Sequence, residues 1–87
     1  MSRTVYLDNN ATTRVDPAVF EAMVPWLRDE YGNPSSAYAL GRRADAAISK
    51  ARAQIAAFAG CKEEEVLFTS CGTESINTAI LTCAALD

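Results

Sequence analysis

The chain alternates between stretches of helical period and short polar interruptions. Val19, Phe20, Met23, Val24 and Leu27 recur at three- and four-residue steps, which sets them on one helix face. Asp16-Pro17 precedes them as an N-cap followed by proline at the first helical position. Pro25 falls inside the pattern. It lacks an N–H and clashes with the preceding turn, so it predicts a kink or an early stop. A longer helix is predicted over residues 40–59, with Ala44, Ile48, Ala51, Ile55 and Phe58 on its buried face and Gly60 at its C-terminal stop. Its other face, with Arg42, Arg43, Asp45, Lys50 and Arg52, reads as solvated surface. A third helix is predicted from Thr73, with Ile76, Ala79, Ile80 and Cys83 on its apolar side.

Between the helices the period changes. Residues 5–7 read as a short extended piece, and Asp8, Asn9 and Asn10 favour a turn because their side chains can bond the nearby backbone. Residues 32–36 (GNPSS) form a loop, and residues 62–65 (KEEE) an exposed acidic loop. Residues 66–69 predict a strand, and the strand runs into Ser70, Cys71, Gly72 and Thr73. Helix–strand–helix order implies a parallel sheet, and a sheet needs neighbouring strands. Residues 5–7 are too short and too distant to serve, so residues 66–69 would keep unpaired backbone groups. By hydrogen-bond accounting alone, the chain is the opening part of a larger α/β protein, mostly helical in this segment with one strand of a larger sheet. Poor independent folding is expected.

Composition narrows the classes. The chain has 87 residues, 49% of them hydrophobic and 22% charged, which is ordinary for a soluble globular domain. Its net charge of −3 is spread without a basic run, so neither nucleic acid nor an anionic membrane is an expected partner. No stretch is long and apolar enough to span a bilayer, the first residues lack the apolar centre of a signal peptide, and a cytoplasmic location is expected. Cys61, Cys71 and Cys83 lack the density and spacing of a disulfide framework or a zinc site, and read as reduced thiols. No metal site is expected. There is no histidine, which removes the commonest general base near neutral pH.

The turn after residue 69 carries the candidate chemistry. A helix N-terminus has free N–H groups and a partial positive charge, and a small-residue turn lets a phosphate come close. Gly72 removes a side-chain obstacle, Thr73 offers an N–H and a hydroxyl, and Ser70 and Ser75 have further hydroxyls. The alternative is a turn whose small residues only cap the helix. Neither a Gly-Lys-Ser/Thr loop nor a G-x-G-x-x-G fingerprint is present.

Three segments acquire meaning together: YLDNNATT at residues 6–13, YGNPSS at 31–36 and VLFTSCGTES at 66–75. In this order and spacing the chain resembles the N-terminal portion of the cysteine desulfurases, the NifS/IscS family of class V aminotransferase-like enzymes. DNNATT is more similar to the NifS-type branch. The resemblance implies the aspartate-aminotransferase-type fold (fold type I) and a homodimer that uses pyridoxal 5′-phosphate. It implies conversion of L-cysteine to L-alanine with an enzyme persulfide that supplies iron–sulfur cluster assembly, and hence an iron–sulfur scaffold protein as partner. A related selenocysteine lyase, and a non-catalytic truncated product acting as a dimerisation remnant, are the alternatives.

By the same resemblance, Gly72 and Thr73 bind the cofactor's 5′-phosphate. Residues 1–40 form an N-terminal arm, helix and GNPSS loop, and residues 41–87 open the large domain. Asn9, Asn10, Ala11 and Thr12 match a segment near the active site, and GNPSS one at its entrance and the dimer interface; turn chemistry alone is the alternative for both. The family usually has histidine where Tyr38 stands. Neither Lys50 nor Lys62 matches the family's cofactor lysine, and Cys71 does not match its sulfur acceptor. No catalytic residue is therefore assigned, and the 87-residue chain alone is expected to be inactive.

Overall fold

The computed structural model describes residues 2–86. Met1 and Asp87, the outer ends of the 1–40 and 41–87 division, lie outside the described residues. The described part is mostly helical: α1 (Pro17–Arg28), α2 (Ala39–Ala59), a 3₁₀ turn (Glu63–Glu65) and α3 (Gly72–Leu86). The chain divides into two compact units, residues 1–46 and 47–87, and α2 contributes to both.

In the first unit, the Asp8 carbonyl accepts the Ala11 and Thr12 N–H groups at 3.1 and 3.5 Å, and the Asn9 carbonyl accepts the Thr13 hydroxyl at 3.2 Å. The turn expected at Asp8–Asn10 is thus closed by main-chain carbonyls rather than by Asx side chains. Asp16 caps α1 as its sequence predicts, its carboxylate accepting the Ala18 N–H at 2.8 Å with Pro17 in the first turn. The early stop at Pro25 does not occur: α1 continues to Arg28. Proline removes only the bond that its own N–H would donate backward, and residues beyond it can still bond. The Pro25 carbonyl then ends the helix by accepting both Asp29 and Glu30 N–H groups, at 2.9 and 2.8 Å. None of α1's residues is buried, and Val19, Phe20, Met23 and Leu27 are all exposed.

GNPSS is a loop, and a tightly pinned one. The Asn33 side chain accepts the Ser35 N–H and its carbonyl accepts the Ser36 N–H, both at 2.9 Å. The start of α2 lies hard against this coil. A Cβ on Gly32 would strike the backbone of Leu40, and one on Gly41 would strike the Ser36 carbonyl oxygen and lie 2.6 Å from that of Asn33. Gly41 and Ala44 are buried here. Arg43 pairs with Glu30 at 2.7 Å, an exposed contact worth under about 1 kcal/mol.

In the second unit, α2 ends in a Schellman arrangement. Gly60 takes φ +72°, and the Cys61 N–H reaches back to the Ala56 carbonyl at 3.0 Å. Four positions of α2 depart from expectation. Phe58 is 94% exposed and Ile55 is exposed, whereas Ala56, absent from the predicted face, is buried. Helical period sets which residues share a face, but burial requires a neighbouring element over it. Arg52, expected on the solvated face, is half-buried against residues 66–68. The acidic run 63–65 is exposed as expected, but forms a 3₁₀ turn in which the Glu65 carboxylate accepts the Lys62 N–H at 2.8 Å.

The expected strand at residues 66–69 is absent among the described residues. Val66 has extended dihedrals, φ −100° and ψ +120°, so the local geometry is that of a strand. A strand is defined by its ladder, however, and no extended partner lies beside it here.

Candidate functional site

α3 starts where residues 66–69 end, and this junction contains both predicted site residues. Gly72 and Thr73 are its first two residues. The Cys71 carbonyl accepts the first bond of the helix, from the Ser75 N–H at 3.1 Å, which makes Cys71 the N-cap. The N–H groups of Gly72, Thr73 and Glu74 therefore have no carbonyl within the helix, and the positive end of a 15-residue helix dipole is open at this point.

The Cys71 sulfur lies in that field. The Glu74 N–H foremost, then the Ser70 hydroxyl at 3.6 Å, hold the thiol below its ordinary pKa, with the Thr73 N–H adding to them. The Glu74 carboxylate turns back onto Ser70, accepting its hydroxyl at 2.5 Å and its N–H at 3.2 Å. These two donors, hydroxyl first, lower the Glu74 pKa and keep it ionised. On the other side, the Thr69 and Ser75 hydroxyls share a hydrogen bond at 2.5 Å, and the Thr69 hydroxyl reaches the Cys71 carbonyl at 3.2 Å.

The site is thus narrower than the sequence suggested. Ser70 and Ser75 were candidate hydroxyl donors to a ligand, but both hydroxyls are engaged within the turn. Gly72 N–H and the Thr73 hydroxyl and N–H remain as donors for an incoming anion, which would compete with the Cys71 sulfur for the Thr73 N–H. A phosphate group fits this donor set in charge and hydrogen-bonding type. Gly72 sharpens the fit. Its φ lies outside the left-handed region, and a Cβ there would meet nothing within 4 Å. Neither backbone strain nor crowding within the described residues calls for glycine. The space beside Gly72 is open to an approaching group.

Thr69, Glu74 and Arg52 order this junction, and the sequence reading assigned none of them a role. Glu74 had a signal: an acidic residue in the first turn of a helix is favoured by the helix dipole. Arg52 had none, since its partners lie 14 and 16 residues away. The other motif residues contribute turns. Tyr38 is exposed, and its carbonyl accepts the Arg42 N–H at 3.0 Å near the start of α2. Lys50 and Lys62 are both exposed. An open groove of about 370 Å³ runs along α3, lined on one side by Glu65, Leu67 and Thr69 and on the other by Ser75, Thr78, Ala79, Thr82 and Cys83.

Known proteins resemble this chain over most of its length. The family model for Aminotransferase class-V matches residues 5–86. A cysteine desulfurase of Trichormus azollae is 57% identical over 76 residues, covering 87% of this chain and 19% of the relative. One from Enterobacter agglomerans is 53% identical over 85 residues, 97% of this chain and 21% of the relative. The cysteine desulfurase NifS of Azotobacter vinelandii is 51% identical over 78 residues, 88% and 19%. Among solved structures, a NifS-like protein superposes with a TM-score of 0.89 at 49% identity, covering 94% of this chain and 22% of that one. The chain spans about a fifth of the length of these relatives. With the family model matching nearly all of it, the chain belongs to the class V aminotransferases, in the company of the NifS-type cysteine desulfurases.

Proposed function

We propose that this chain is the N-terminal portion of a cysteine desulfurase, and that the start of α3 holds the 5′-phosphate of its pyridoxal phosphate. The observation that carries the reading is the open helix end at Gly72 and Thr73, where a glycine stands with no local reason to be one. The desulfurase relatives support the same reading.

In the proposed reaction, L-cysteine gives L-alanine, and its sulfur passes to an enzyme thiol as a persulfide destined for an iron–sulfur scaffold. When bound, pyridoxal phosphate supplies the electron sink for bond making and breaking at the substrate. The present residues supply orientation and electrostatics. Gly72 N–H and the Thr73 N–H and hydroxyl grip the dianion, and the α3 dipole favours its charge. Ser70 keeps the Glu74 carboxylate folded back, so that its like charge is bonded within the turn. Residues 66–69 are proposed to join a larger sheet, and a second protomer to complete a homodimer. The lysine anchor and the sulfur acceptor are proposed to lie outside these 87 residues, so the chain alone is expected to be inactive.

The test is Thr73→Ala in the full-length enzyme. Loss of one charge-assisted hydrogen bond is worth roughly 1.5–3 kcal/mol. Affinity for pyridoxal phosphate should fall accordingly, while affinity for unphosphorylated pyridoxal stays as it was. An unchanged affinity for the phosphorylated form rejects the assignment.

A further inference from the structure

Arg52 fastens the segment that delivers the turn. It lies on α2, half-buried, and one hydrogen bond and one cation–π contact link it to residues 66–68. Its Nε–H donates to the Val66 carbonyl at 3.4 Å, and its guanidinium carbon sits 5.2 Å from the centre of the Phe68 ring. The latter distance is within cation–π range.

Arg52 holds the segment at the Val66 main-chain carbonyl and at the Phe68 ring, two residues apart. The groove along α3 contains Leu67 and Thr69 in its wall. The segment thus meets Arg52 through Val66 and Phe68 and borders the groove along α3 through Leu67 and Thr69. Thr69, at its end, is hydrogen-bonded to Ser75 and to the Cys71 carbonyl. A twist or slip of residues 66–69 would be passed directly into the backbone that aims Gly72 and Thr73.

We infer that Arg52, acting through Val66 and Phe68, is a positioning residue for the phosphate-binding turn. This rests on the proposed role of Gly72 and Thr73 and goes beyond it, since Arg52 need not touch the ligand. The pairing uses what distinguishes arginine from lysine: a planar, delocalised cation that stacks on a ring while an N–H in its plane bonds a carbonyl.

The test compares Arg52→Gln, Arg52→Lys, Phe68→Leu and Thr73→Ala in the full-length enzyme, measuring dissociation constants for pyridoxal phosphate and for unphosphorylated pyridoxal. Arg52→Gln and Phe68→Leu should each weaken pyridoxal phosphate about three- to tenfold and leave pyridoxal unchanged. Arg52→Lys should fall between Gln and the parent. The Arg52→Gln, Phe68→Leu double variant should be little worse than either single one, because both break the same link. Equal weakening of both ligands would reduce Arg52 to general support and overturn the inference, as would no weakening of either. Should Arg52→Gln fail to fold, Arg52→Lys and Phe68→Leu carry the same comparison. If Thr73→Ala weakens pyridoxal phosphate and the Arg52 and Phe68 variants do not, the positioning role alone falls. If Thr73→Ala has no effect, the site falls and the inference with it.

Discussion

The thiol of Cys71 takes the Glu74 and Thr73 N–H groups and the Ser70 hydroxyl, the carboxylate of Glu74 takes the Ser70 hydroxyl and N–H, and each reports on the state of the turn. Glu74's pKa is lowered first by the Ser70 hydroxyl, so its folded value lies below the unfolded one. Its contribution to the folded turn is then present above the unfolded value and is lost as pH falls through the folded one. Ser70→Ala should raise the Glu74 pKa toward the ordinary range, read by NMR titration of its side-chain carboxyl carbon. No movement would place the cause elsewhere. Cys71 is likewise lowered, chiefly by the Glu74 N–H, so its alkylation should rise with pH at a midpoint below that of a free thiol. A phosphate bound as proposed would take the Thr73 N–H and add negative charge beside the sulfur. Pyridoxal phosphate should therefore slow alkylation at Cys71, measured by mass mapping of the labelled residue. Equal rates with and without it would argue against a phosphate at this helix end. The start of a helix near Thr73 was legible in the sequence, as were residue types there that would suit the proposed anion. The engagement of Ser70 and Ser75 was not, because a hydroxyl's partner depends on where Thr69 and Glu74 come to rest.

At the scale of elements, glycine at two ends of α2 serves two different demands. Gly60 needs a positive φ and has open space around it, so Gly60→Ala should cost about 1 kcal/mol, the strain of a side chain in the left-handed region. Gly41 needs room: a Cβ there meets backbone oxygens of Ser36 and Asn33, which yield less readily than side chains. Gly41→Ala should cost about 2–3 kcal/mol, the larger of the two in urea denaturation of the full-length protein. The reverse order would mean that the GNPSS coil shifts easily. Caps and stops were legible because they depend on neighbours in sequence: Asp16 and Pro17 start α1, and Gly60 ends α2. The extent of α1 beyond Pro25 was less so, because a missing N–H weakens one bond without forbidding the next. The ladder expected of residues 66–69 needs a second strand, which no local rule can supply.

At the scale of the whole chain, the apolar residues are poorly covered. Ala44 and Ala56 are the buried hydrophobic positions among the described residues, whereas Leu7, Phe58, Leu67, Ile76 and Leu81 are more than 60% exposed. Burial at about 25 cal/mol per Å² cannot offset the ordering entropy with so little apolar surface removed from water. The isolated 87-residue chain should therefore bind a hydrophobic dye and lose its helical circular dichroism gradually on heating. A sharp, cooperative transition of the monomer would contradict this. The sequence by itself determined the helices, their caps, the GNPSS loop, the small-residue turn at 70–73 and the likeness to the desulfurases. Each of these is written in neighbouring residue types, in periodicity, or in motifs at fixed spacing. Only the tertiary structure decided that Ala56 is covered and Phe58 is not, that Arg52 leaves the solvent for Phe68, and that Gly72 stands in open space. Those outcomes depend on which residues distant in sequence meet, and a helical period gives a face its composition but not its neighbour.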